Sequence, residues 1–157
     1  MELIIEPYVQ CGPIRFGMSR DQVRALVRSA VEPFQRVEGM PLIDAFPELG
    51  VHVHYKDPDV VEAVEVFSPS VPLYLGRPLL GVPYAGLRSW FKDEDAAVEI
   101  RNDGLTAPTL GISLYAPHLK KSAKLPCECV MAYERGYYER WATLAEKLLP
   151  PIPDDWL

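Results

Sequence analysis

Hydrophobic positions change period several times along the chain, and each change marks an element. Over Val51-His52-Val53-His54-Tyr55 apolar and polar residues alternate, as in a strand buried on one face. Lys56-Asp57-Pro58-Asp59 supplies turn chemistry, and Val60 to Phe67 then returns antiparallel. From Arg20 to Ser29 the period lengthens, setting Val23, Leu26 and Val27 on one helical face. Ser19 and Gln22 give that helix a capping box. A second amphipathic stretch starts with Pro83 in its first turn, where a missing N–H costs little, and turns Leu87, Trp90 and Phe91 inward. Phe34 to Val37 and Val98 to Arg101 read as further strands, each closed by a turn at Gly39 or Gly104. A last helix over residues 134–149 carries Tyr138, Trp141, Leu144, Ala145 and Leu148 as a stripe expected to pack in the core. Pro150-Pro151-Ile152-Pro153 is expected to stop it, and Trp156 to pin the tail.

The same blocks occur twice in the same order. Without a gap, Gly12 and Gly17 align with Gly76 and Gly81, and the hydrophobic pairs Phe16/Leu80, Val23/Leu87, Leu26/Trp90 and Val27/Phe91 coincide. Leu49-Gly50-Val51-His52-Val53-His54 answers Leu110-Gly111-Ile112-Ser113-Leu114-Tyr115, and Glu62 to Phe67 answers Glu128 to Tyr133. The expected architecture is therefore α+β: one domain over residues 1–157 built from two units, about 8–67 and 73–133. Each unit runs extended segment, helix, then about three antiparallel strands. Side by side they give one continuous sheet with both helices on one face, joined by a stiff linker from Ser68 to Pro72.

Composition narrows the function classes. A net charge of −6 disfavours nucleic acid as a ligand, because phosphate is repelled, and is compatible with a basic protein partner. No apolar run approaches the ~20 residues of a membrane span. The start, Met1 to Pro7, has no basic segment or long apolar segment of a signal peptide, so the expected compartment is the cytoplasm. Cys11, Cys127 and Cys129 show no zinc-type spacing and read as buried thiols in a reducing environment.

Candidate chemistry is sparse. His52 and His54 share one strand face, with Glu65 diagonally near on the returning strand, which is the one arrangement suggesting a metal-dependent enzyme. Pairing Cys127 or Cys129 with His118 would make a nucleophile, but both cysteines fall at plain strand positions on one face. No phosphate-binding loop, GxSxG or HExxH pattern occurs, and no cofactor is expected. Exposed carboxylates at Asp57, Asp59, Asp93, Glu94 and Asp95, with Tyr84 as an amphipathic anchor, are the candidate partner-binding residues.

The segment from Gly17 to Val23, followed by a short helix and antiparallel strands, resembles the repeat of the BamE-like and β-lactamase-inhibitory-protein folds, which present a sheet face to a partner protein. The longer pattern through Leu49 to Tyr55, Leu110 to Pro117 and Glu134 to Tyr138 resembles uncharacterised bacterial cytosolic proteins, some of them immunity proteins of polymorphic toxin systems. That resemblance implies a monomeric or homodimeric binding module that neutralises a toxin domain by occlusion, and it implies no catalytic residue.

Overall fold

Strand alternation and tight turns build two sheets in the computed structural model, which describes residues 1–148 and 154–156. Strands β1 (Glu2–Glu6), β2 (Gln10–Cys11) and β3 (Ile14–Arg15) precede helix α1 (Arg20–Val27). An antiparallel meander follows: β4 (Glu32–Phe34), β5 (Ile43–Phe46), β6 (Val51–Lys56) and β7 (Val60–Val66). Then come β8 (Val71–Tyr74), β9 (Arg77–Pro78) and helix α2 (Tyr84–Glu94). A second meander comprises β10 (Glu99–Arg101), β11 (Gly104–Ala107), β12 (Ile112–Tyr115) and β13 (Cys129–Tyr133). Helix α3 (Tyr137–Leu148) and a 3-10 turn at Asp154–Trp156 complete the described chain.

The two meanders join into one eight-stranded antiparallel sheet, ordered β10-β11-β12-β13-β7-β6-β5-β4. At the junction β7 pairs with β13, Glu65 opposite Met131 and Val66 opposite Val130. The short N-terminal and central strands form a separate five-stranded sheet, β3-β2-β1-β8-β9, in which β1 and β8 run parallel. This differs from the single sheet expected: the extended segments preceding the helices bond to each other rather than to the meanders. Val71 and Pro72, expected in a linker, belong to β8.

The inner face of the large sheet is the core. Val51, Val53, Val64, Val66, Leu105, Ile112, Leu114 and Val130 pack there with Val23 of α1, Leu87 and Phe91 of α2, and Leu3 and Ile14 of the small sheet. Helix α1 carries the expected capping box, with the Gln22 N–H donating to Ser19 Oγ and the Ser19 N–H to Gln22 Oε1. Leu26, expected inward, is exposed, because the eight-residue helix turns only Val23 fully into the core. Pro83 precedes α2 as its N-cap rather than sitting in the first turn. The N–H groups of Tyr84 and Ala85 donate instead to the carbonyls of Leu125 and Ala123.

Two further expectations change. Each meander has four strands, because Ile43–Phe46 and Gly104–Ala107 are strands as well. Gly104 opens β11 at φ +150°, where a Cβ would lie 1.9 Å from the Leu114 carbonyl oxygen, so close strand approach excludes any other residue. The last helix begins at Tyr137, and of its stripe Tyr138, Trp141, Leu144 and Leu148 remain 36–41 % exposed; only Tyr137 is buried. The stripe is therefore not core. The proline stop at residues 150–153 and the side chain of Trp156 lie outside the described residues. Among the described residues no helix is long and apolar enough to cross a membrane.

Candidate functional site

Alternation sends the other half of each strand to the outer face of the large sheet, and the register arranges those residues in rows. One row runs Thr106, Ser113, Met131, Glu65, His52, and its neighbour runs Arg101, Gly104, Tyr115, Cys129. Helix α3 covers only part of this face. Its first turn is fixed by Tyr137, packed with Ala63 and Tyr133, and by Arg140, which donates to Glu134 at 2.7 Å and to Glu62 at 3.3 Å. Lys56 also pairs with Glu134. Tyr8 reaches the same cluster from the β1–β2 turn and donates its hydroxyl to the Pro108 carbonyl.

Beyond that anchored turn the helix stands over two cavities. One, of about 620 Å³, lies between α3 and β12–β13, with Phe67, Tyr115, Met131, Tyr138 and Trp141 among its walls and Arg101 and Glu128 at its margin. The other, of about 500 Å³, lies toward the β4–β5 loop and is lined by Met40, Leu42, Asp57, Asp59 and Leu144. Arg36 and Trp141 border both.

Glu65 is the electrostatic centre of the face. Its Oε1 accepts from Arg36 Nη2 at 2.6 Å and is hydrogen-bonded to His54 Nε2. Burial pushes the carboxyl pKa up, but the His54 hydrogen bond and the charges of His54 and Arg36 outweigh it, leaving it below the ordinary value. Cys129 Sγ stands 3.9 Å from Glu65 Oε2. Burial, with the nearby Glu65 charge, pushes that thiol up to about 12, far from a reactive thiolate. His52 sits between Phe34 and Phe67, at ring-centroid distances of 5.3 and 4.8 Å, and its buried Nδ1 has no hydrogen-bond partner among the described residues. Burial lowers its pKa, favouring the neutral ring.

Of the sequence-derived metal candidates, His54 and Glu65 touch, and His52 lies opposite Glu65 in register. Among the described residues, no three or more His, Cys, Asp or Glu side chains group as a metal site. The candidate partner-binding residues separate. Asp57 and Asp59 are exposed at the mouth of the 500 Å³ cavity, with Asp59 bonded to Arg20. Asp93 and Glu94 are exposed at the end of α2, on the other side of the sheet.

Two are corrected. Tyr84 is wholly buried in the inner core, so it presents nothing to a partner. Asp95 is also buried, and its carboxylate accepts from the N–H groups of Ala97 and Thr109, tying the end of α2 to the β11–β12 turn. Cys127, expected on the same face as Cys129, packs in the inner core instead, since it precedes the strand and escapes its alternation. Sequence reasoning missed Arg36, Arg101, Glu128 and Met131 as site residues. Only Met131 carried a signal, through strand alternation with Cys129. No protein family, curated protein or solved structure matches the chain.

Proposed function

We propose that this protein is a cytoplasmic binding module for a basic protein domain, which it neutralises by covering a surface rather than by chemistry. Its docking surface is the outer face of the large sheet together with α3. The observation that carries this reading is the stripe Tyr138, Trp141, Leu144 and Leu148, left exposed beside Tyr115. Tyrosine, tryptophan and arginine are the residues that most often anchor interfaces. Around the stripe, Arg36, Lys56 and Arg140 are already held in ion pairs. Exposed Asp57, Glu99, Glu128, Glu139 and Glu146 have no ion-pair partner among the described residues and outnumber the likewise unpaired Lys120, Arg135 and Lys147, so the net charge presented outward is negative. The resemblance to immunity proteins makes a bacterial toxin domain the first partner class to test.

Native co-purification followed by reconstitution from purified components tests the reading. A basic partner binding at one-to-one stoichiometry, and losing most of its affinity to Trp141→Ala, is the expected result. Failure to recover any stoichiometric partner, or a partner indifferent to Trp141→Ala, sinks it. Self-association measured by light scattering would redirect the surface to a homodimer.

The metal-dependent alternative draws on one observation, the buried Nδ1 of His52, which has no partner among the described residues and belongs to the same row as Glu65. Zinc or nickel calorimetry on the wild type and His52→Ala decides it: no binding at micromolar metal ends that alternative.

We also infer that the two meanders are copies of one unit. Supporting this, His52 pairs with Glu65 as Ser113 pairs with Met131, and Val53 with Val64 as Leu114 with Val130. The turns also correspond: Gly50 and Gly111 both donate to the residue four earlier, at φ +68° and +67°. Exchanging the turn segments 47–50 and 108–111 is expected to leave the denaturation midpoint unchanged. A chain that no longer folds after the exchange would refute the equivalence.

A further inference from the structure

We infer that the cavity of about 620 Å³ between α3 and β12–β13 binds a small aromatic molecule carrying both an anionic and a cationic group, an aromatic α-amino acid being its simplest form. The volume falls inside the ~300–1,000 Å³ range of small-molecule sites. Phe67, Tyr115, Met131, Tyr138 and Trp141 supply an apolar and aromatic lining to this open cleft. Small residues, Ser113 and Cys129, form part of the floor, and Gly104 adds no side chain to the row of Cys129.

The charges lining the cavity balance, with Arg36 and Arg101 set against Glu65 and Glu128, while Asp103 pairs with Arg101 from outside the lining. A ligand without net charge is therefore neither drawn out nor repelled by the acidic protein around it. Glu65 and Arg36 are engaged with each other, and Glu65 also with His54. The other pair is less fully engaged. Arg101 donates to Thr106 Oγ1 and stands 3.6 Å from Asp103, which leaves most of its five N–H donors unused. Exposed Glu128 has no side-chain partner among the described residues. Arg101 thus offers a planar fork to a carboxylate and Glu128 an acceptor to an ammonium group, while the ring lies against the aromatic wall.

Calorimetry on the full chain with L-phenylalanine, 3-phenylpropionate and phenethylamine tests this on the protein alone. It therefore stands or falls apart from the partner-binding reading, whose readout is the reconstituted complex. L-Phenylalanine is expected to saturate the site, and each singly charged analogue to bind roughly tenfold more weakly. Arg101→Gln should weaken L-phenylalanine and 3-phenylpropionate and spare phenethylamine. Glu128→Gln should do the reverse for the two singly charged compounds. Both substitutions replace surface side chains, and circular dichroism confirms folding. No saturation by millimolar L-phenylalanine, equal affinity for all three probes, or indifference to both substitutions overturns the assignment.

Discussion

Asp44 shows how one residue can look misplaced until its neighbours are counted. It sits wholly buried in β5, on the inner face. Its carboxylate accepts from Arg20 Nη1 at 2.9 Å, Arg24 Nη2 at 2.7 Å and the Tyr55 hydroxyl at 3.1 Å. Burial raises the carboxyl pKa, but hydrogen bonding to Arg24 and the charges of Arg20 and Arg24 outweigh it and hold the pKa below the ordinary value. A depressed pKa contributes stability that is fully present above the unfolded value, about 4, and is lost as pH falls through the folded one. Asp44→Ala, which strips Arg24 of its partner while Arg20 keeps Asp59, should cost about 1.5–3 kcal/mol near neutrality. It should also flatten the acid limb of the stability profile. Urea titrations at several pH values check both, and an unchanged acid limb would contradict the assignment. The thiols make a second test at this scale. Burial pushes Cys11 and Cys129 up to about 12 and Cys127 up to about 11, so an alkylating reagent near neutrality should modify all three slowly in the native protein and readily after unfolding. A single fast-reacting thiol in the folded state would be inconsistent with this.

At the scale of elements, what was readable in the sequence was what depends on near neighbours. The capping box of α1 and the β6–β7 hairpin follow from residues a few positions apart. Strand β5 did not, because Asp44 interrupts its apolar run and only two arginines from α1 make that tolerable. Strand β11 was hidden because its first residue, Gly104, reads locally as a turn. Helix α3 was found, but helical spacing shows which side chains share a face and not whether anything covers it. The site residues Arg36 and Arg101, on a loop and an edge strand, carried no periodic signal at all. Glycines give a sharp check on this distinction. Gly104→Ala, which drives a Cβ against backbone, should destabilise by about 3 kcal/mol or more. At Gly76 nothing lies within 4 Å of an added Cβ, so Gly76→Ala should cost only the strain of its φ of +75°, about 1–2 kcal/mol. Thermal denaturation of the two variants separates steric exclusion from backbone strain, and equal losses would remove the distinction.

Across the whole molecule, the two faces of the large sheet divide the work. The inner face holds the fold together, whereas the outer face is finished only where α3 is anchored. Trp141→Ala should therefore change stability by less than about 1 kcal/mol while removing partner affinity. Charge acts over a longer range. If a basic domain docks on the acidic margin, its association rate should fall as ionic strength rises, and Asp57→Lys should slow association more than it speeds dissociation. Stopped-flow mixing at two salt concentrations reads this directly; a salt-independent rate would remove the electrostatic half of the proposal.

The junction between β7 and β13 has a consequence during synthesis. Val66 pairs with Val51 within the first meander but finds its second partner only when Val130 has been made, so until then the first meander has β7 as a naked edge. That edge, Val60-Val61-Glu62-Ala63-Val64-Glu65-Val66, is dominated by valine and would template pairing with another nascent chain. Glu62 and Glu65 are its only charges. The acids that later hold Arg140, Arg36 and His54 interrupt the valine run, and charges on a bare edge disfavour its pairing with another chain.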